Sequence, residues 1–220
     1  MSYGRRQLDE LVNDDDSAWP LVQDWVSGAR RDVELLEPSG SAGECLVSIQ
    51  VTTRSPLGAV VFHTGGILVD HGWLRVLGSG NERLPCALPQ WNFACGLDAS
   101  ESAPPWLLVA DDVVGGFFAL DGGRFSSEGH TIWYLAPDTV EWEDLELGYS
   151  DFLSWCFRGD VDGFYEPQRW QGWEAEVADL DGNQGLSVSP PLFTKGPPIK
   201  ERSRRSVPIQ ELFALHVGTL

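Results

Sequence analysis

Apolar residues recur with a helical period at both ends of this chain and in short, glycine-cut runs between them. Leu8, Leu11 and Val12 stand at i, i+3 and i+4 and predict a first helix. The acidic break Asp14-Asp15-Asp16 then leads to Ser17 as an N-cap. Trp19, Val22 and Val26 form one face of a second helix, with Pro20 in its first turn. A third helix is predicted from Ser41 to Val51, weakened by its glycine. From Ser55 the texture changes. Ala59 to Phe62, Ile67 to Val69 and Trp73 to Leu77 predict strands, with Gly65-Gly66 and Asp70-His71-Gly72 as turns.

Gly78 to Pro105 predicts a long loop, and loops of that length are usually functional or mobile. Trp106 to Ala110 and Val113 to Leu120 are further apolar runs. Gly115-Gly116 interrupts the second, predicting a central strand bent there with Asp111 and Asp112 at its entrance. Asp121-Gly122-Gly123 is the hairpin signal, leading to a strand from His130 to Leu135. Tyr149 to Phe157 and Gly172 to Leu180 predict helices. Pro190-Pro191 and Gly196-Pro197-Pro198 break regular structure, so 190–205 is expected as a Pro-rich, basic loop. It leads from a cap-like Ser206 into a final docked helix bearing Ile209, Leu212, Phe213 and Val217. Helices at both ends around a strand-rich middle make the fold class α+β.

At 220 residues the chain suits one domain, 1–220, and its 42% hydrophobic residues supply an ample core. Charge narrows the partner. With 33 acidic against 15 basic residues the chain carries −18, which repels nucleic acid and anionic membranes and favours a basic protein partner. A second copy of the chain is the other partner class. The basic run Lys195, Lys200, Arg202, Arg204 and Arg205 is expected at the surface, paired with acids of the same molecule. No apolar run approaches the ~18 residues of a membrane helix, and no signal peptide opens the chain. Cys45, Cys86, Cys95 and Cys156 are too sparse for a disulfide scaffold, so a reducing, cytoplasmic location is expected.

Familiar chemistry is hard to assemble from these residues. His63, His71, Cys86 and Cys95 lack the short knuckle spacings of a zinc site. Asp179 to Asn183 starts like a calcium loop, but Pro190 occupies the closing position. Gly78-Ser79-Gly80 lacks the third glycine of a dinucleotide fingerprint, because Arg83 stands there. No metal, cofactor or catalytic residue is therefore assigned. Asp70 and Asp111 follow apolar runs, where carboxylates project into rims, although Asp beside a turn more often caps its own backbone. Trp73, Trp91, Trp142, Trp170 and Trp173 lie in or beside turns among carboxylates, which suits protein hot spots and sugar stacking alike. The binding set expected from this reading is Asp70, His71, Trp73, Asp111, Asp112 and Trp142. The leading function is non-enzymatic protein binding. The alternative is an enzyme acting on a small molecule or glycan, using Asp70, His71, Asp111 and Asp112 around an aromatic cleft.

Four stretches carry a resemblance: TTRSPLGAVVFHTGGILVDHGWLRVLGSG from Thr52, LLVADDVVGGFFALDGG from Leu107, YLAPDTVEWEDLELGYSDFLSW from Tyr134 and FYEPQRWQGWEAEV from Phe164. Together they resemble a bacterial family named domain of unknown function 2625, over nearly the whole chain. In element order the chain is also similar to the SUKH superfamily of toxin-immunity proteins and fungal glucan-synthesis regulators. That likeness implies a bent, mainly antiparallel sheet flanked by helices, and a protein-binding role of immunity or regulatory type.

Overall fold

The computed structural model describes residues 5–97 and 104–218. Its centre is a seven-stranded antiparallel sheet whose strands neighbour one another in chain order. They are β1 (Val33–Leu36), β2 (Gly66–Val69), β3 (Leu74–Leu77), β4 (Trp106–Asp112), β5 (Phe117–Asp121), β6 (Ile132–Leu135) and β7 (Trp142–Asp144). The α+β class, with an antiparallel sheet flanked by helices, is as expected. β2 and β3 are buried throughout, which explains why they read as continuous apolar runs rather than alternating ones.

Register decides which side chains share a face. Val76, Ala110, Phe118 and Tyr134 are paired across neighbouring strands, and so are Arg75, Asp111, Phe117 and Leu135. The first set faces a helical layer, since Phe118 meets Phe152 of α6 (Tyr149–Arg158) and Tyr134 meets Phe164 of α7 (Val161–Tyr165). In that layer α2 (Trp19–Ser27) and α4 (Pro56–His63) pack with α6. The second set faces α5 (Leu88–Ala94) and α9 (Ile209–Val217), where Trp91 and Phe213 close on Phe117. A separate hairpin, β8 (Gln184–Ser189) with β9 (Ser203–Pro208), lies on this side, tied down by Leu186 N donating to Val113 O. The remaining helices are α1 (Leu8–Leu11), α3 (Ala42–Ile49) and α8 (Trp173–Ala178).

Several predicted elements change type. Ala59 to Phe62 is helical, not a strand: Ser55 caps α4 by accepting from Gly58 N at 3.1 Å, and Pro56 occupies the first turn. A short apolar run alone does not separate buried helix from buried strand. Gly58 is required there, since a Cβ would sit 2.1 Å from Thr52 O. The predicted loop from Gly78 contains α5, entered through Pro89, while its residues 98–103 lie outside the described ones. Val113 to Leu120 is not one bent strand. Residues 113–116 are the turn between β4 and β5, and the irregularity within β4 is a bulge between Leu108 and Ala110. The stretch from Ser203 is strand β9, and α9 starts after Pro208 rather than at Ser206. Of the basic run, Arg204 pairs with Glu176 at 3.2 Å, whereas Arg202 donates to the carbonyls of Pro190, Pro191, Thr194 and Pro197.

The Asp121 turn behaves as its sequence signal implies. Asp121 accepts from the backbone N–H groups of Gly123, Arg124, Phe125 and Ser126 and from Ser126 Oγ, all within 3.0 Å. Desolvation pushes its carboxyl up, but the donors, led by Phe125 N and Ser126 Oγ, outweigh it and hold the pKa at about 2. A depressed carboxylate pKa gives stability that is present above the ordinary value of 3.8 and lost as pH falls towards 2. About 2 kcal/mol is at stake. Urea unfolding across that window is expected to show a shallower pH slope for Asp121→Asn than for wild type. Equal slopes would remove this account.

Candidate functional site

The Asp70-His71-Gly72-Trp73 corner joins β2 to β3 with consecutive positive φ angles, +49°, +58° and +89° for the first three residues. Non-glycine residues in this region store strain, and such corners gather at functional sites. Asp70 is held from below. Its Oδ2 accepts from Arg31 Nη1 at 3.1 Å and from Arg169 Nη2 at 2.6 Å. Arg169 also bonds Asp162 and lies over Trp173 and Trp73, 4.1 and 5.1 Å from the ring centroids. Trp73 is wholly buried among Tyr165, Trp170 and Trp173. Arg204 covers Trp170 from 4.0 Å. His71 lies at the edge of this stack, its half-exposed ring 6.2 Å from that of Trp173 and its backbone N–H bonded to Asp32. Two clefts flank α8. A 250 Å³ cleft is lined by His71, Arg75, Arg83 and Val177, and a 650 Å³ cleft by Arg169, Trp170, Trp173 and Lys200. In the larger one, arginines already cover Trp170 and Trp173.

Asp111 and Asp112 are adjacent in β4 and therefore project to opposite faces of the sheet. Asp111 Oδ1 accepts from Arg75 Nε at 2.6 Å, and Oδ2 from Trp91 Nε1 at 3.3 Å. Arg75 Nη1 reaches on to the carbonyls of Gly182 and Gln184. Burial pushes the Asp111 carboxyl up, and the Arg75 guanidinium pulls it back. Asp112 Oδ1 caps the following turn, accepting from Val114 N and Gly116 N at 3.1 and 2.8 Å. Its Oδ2 accepts from the hydroxyls of Tyr134 and Tyr165 at 2.9 and 3.2 Å. Burial raises the Asp112 carboxyl, against those hydrogen bonds. Among the described residues no group of three His, Cys, Asp or Glu side chains is placed to hold a metal. Burial pushes the Cys86 and Cys95 thiols up to about 11 and 12, so both stay protonated at neutral pH.

Trp142 lies elsewhere, on β7, which among the described residues pairs only with β6 and forms one edge of the sheet. Ala136 N donates to Glu141 O and Leu145 N to Ile132 O, so these residues turn their backbone towards β6. By strand alternation, the N–H and C=O of Trp142 and Asp144 point away from the sheet. Half-buried Trp142 packs on Phe125 and Trp106 at 4.8 and 5.6 Å, and Phe125 stacks on Trp133 at 5.0 Å. Asp138, Glu141, Glu143, Asp144 and Glu146 are all exposed, and no lysine or arginine falls between 137 and 148.

The six expected residues thus occupy separate places. Asp70 and Trp73 meet through Arg169, His71 stands beside them, Asp111 and Asp112 divide between the two faces, and Trp142 lies on the far edge. The partners that organise them, Arg31, Arg75, Tyr134, Tyr165 and Arg169, carried no local signal, because each pairs across long stretches of chain. That Trp142 lies among carboxylates was legible in the sequence, but β7 itself was not.

Fold and sites together define an antiparallel α+β protein whose buried carboxylates are engaged by donors of the fold, with an acidic sheet edge. The chain belongs to the DUF2625 family, described as a protein of unknown function, whose model matches residues 8–212. It is 40% identical over 211 residues to the uncharacterized protein YbfG of Escherichia coli K12, covering 96% of this chain and 95% of that one. It is also 40% identical over 205 residues to an uncharacterized protein of Haemophilus influenzae Rd, covering 92% of this chain and 90% of the relative. No solved structure matches the chain at a significant level.

Proposed function

We propose that this protein is a non-enzymatic, cytoplasmic protein-binding module of immunity or regulatory type that recognises a basic partner. The observation that carries this reading is the segregation of charge. Arg31, Arg75 and Arg169 are drawn inward onto Asp70 and Asp111, with no more than 10% of each side chain exposed. The five acids from Asp138 to Glu146 stand outward without a cation near them in sequence. Such a surface steers a positively charged protein into encounter and repels nucleic acid. The sequence resemblance in element order to the SUKH superfamily supports the immunity or regulatory half of the proposal, and four free thiols support a reducing compartment. An enzyme working through the strand-end carboxylates draws less support, because Asp70, Asp111 and Asp112 are each engaged by donors of the fold.

The test is to recover the bound protein from native cells and reconstitute the complex from purified components. Affinity is then titrated at roughly 50 and 300 mM salt, on either side of physiological screening. The expected partner is basic, and its affinity weakens about tenfold or more at the higher salt. A neutral or acidic partner bound with salt-insensitive affinity would exclude the proposal.

A further inference from the structure

We infer that β7 is the docking edge of this protein, and that its occupant is an extended lysine- or arginine-rich segment of a partner protein, added to the sheet as an eighth strand. The inference rests on the protein-binding reading above and names the surface and chemistry of that contact. An edge strand offers unpaired N–H and C=O groups as a template for another chain. Here the outward groups belong to Trp142 and Asp144, since the neighbouring residues are committed to β6.

Charge selects the occupant. Side chains of an added strand would fall in two rows. One row would lie beside Trp142 and Asp144, the other beside Glu141 and Glu143, so each row meets carboxylates. None of these three acids, nor Glu146 or Asp138, enters an ion pair among the described residues. The opposite edge differs, because Glu34 of β1 is already neutralised by Arg83. Aromatic surface adds a second reason. Trp133 and Trp142 share the face of Asp144 through the register Trp133↔Asp144 and Leu135↔Trp142, and both rings are half-buried. Partly exposed indoles beside carboxylates suit the stem and head of lysine or arginine through packing and cation–π attraction. A second copy of β7 is disfavoured as the occupant, since like charges directly opposite destabilise a strand pair.

The probe is a fluorescent ten-residue peptide of alternating Lys and Val, paired with a twin N-methylated at two adjacent central residues. The twin keeps its charge but loses a donor whichever edge it presents. Anisotropy is expected to show binding of the first peptide, about tenfold or greater loss for the twin, and a similar loss for Glu141→Gln/Glu143→Gln. Amide exchange at Trp142 and Asp144 should slow when the first peptide is bound. Equal binding of both peptides, with sensitivity to the charge variant, would overturn strand addition while leaving the basic-partner reading intact. No binding of either peptide, or unchanged affinity of the native partner for the charge variant, would overturn the docking edge itself.

Discussion

Replacing Arg75 by methionine is expected to lower unfolding stability by roughly 3–5 kcal/mol, because it leaves Asp111 buried and without its counter-ion. Both side chains are only 2% exposed, and Arg75 Nε lies 2.6 Å from Asp111 Oδ1. The two residues are cross-strand partners of β3 and β4, so the pair ties neighbouring central strands. Through Gly182 O and Gln184 O the same guanidinium anchors the start of β8. Asp111→Leu should cost a similar amount by stranding the arginine. The double variant, Arg75→Met with Asp111→Leu, should lose less than either single, since apolar groups of similar volume can replace a buried pair at little cost. Its residual loss, about 1–3 kcal/mol, comes from the Gly182 and Gln184 carbonyls left without a donor and the Trp91 indole N–H left without an acceptor. Urea unfolding of the four proteins gives the coupling energy directly. A double variant as unstable as the sum of the singles would show that the pair is not a unit.

Such a pair also marks the limit of what the chain discloses locally. Elements whose boundaries are written in adjacent residues were legible: α6 from the spacing of Phe152 and Cys156, the Asp121 turn, and β2 and β3 from their apolar runs. Elements defined by distant partners were not. β1 reads as Val-Glu-Leu-Leu, with no sign that Glu34 faces Arg83 across 49 residues. β9 hides behind Pro197-Pro198, although Leu186 and Val188 of its partner alternate with polar residues. The site divides in the same way. Asp70, Asp111 and Asp112 were visible as carboxylates after apolar runs, but not the donors engaging them, which lie 22 to 99 residues away for Tyr134, Arg75 and Arg169. Local sequence can identify an acid at a strand end. Whether it is open to a ligand or closed by the fold is a long-range property.

Gly116→Val is expected to be the other severe change, costing about 3 kcal/mol or more through overpacking and lost hydrogen bonds. Gly116 follows Gly115, whose φ of +90° holds the β4–β5 turn, but its own constraint is space. A Cβ there would sit 2.1 Å from Asp112 Oδ2 and 2.4 Å from the Tyr134 hydroxyl. Neither neighbour can easily yield. Asp112 is fixed by two backbone N–H groups and two tyrosine hydroxyls, and Tyr134 is clamped against Phe118 at 4.6 Å. Gly116→Ala probes the same conflict more gently. On its own it should displace the carboxylate and break its bonds to Tyr134 and Tyr165. Asp112→Ala should itself be costly, at roughly 1–3 kcal/mol for each buried donor left unpaired. Combined with Asp112→Ala, however, Gly116→Ala should cost clearly less than in the wild-type background, because the nearest oxygen is gone and the Tyr134 hydroxyl is released. Sites in contact are expected to be non-additive in this way. Additive losses in the double variant would mean that the turn, rather than the Asp112 carboxylate, sets the requirement for glycine.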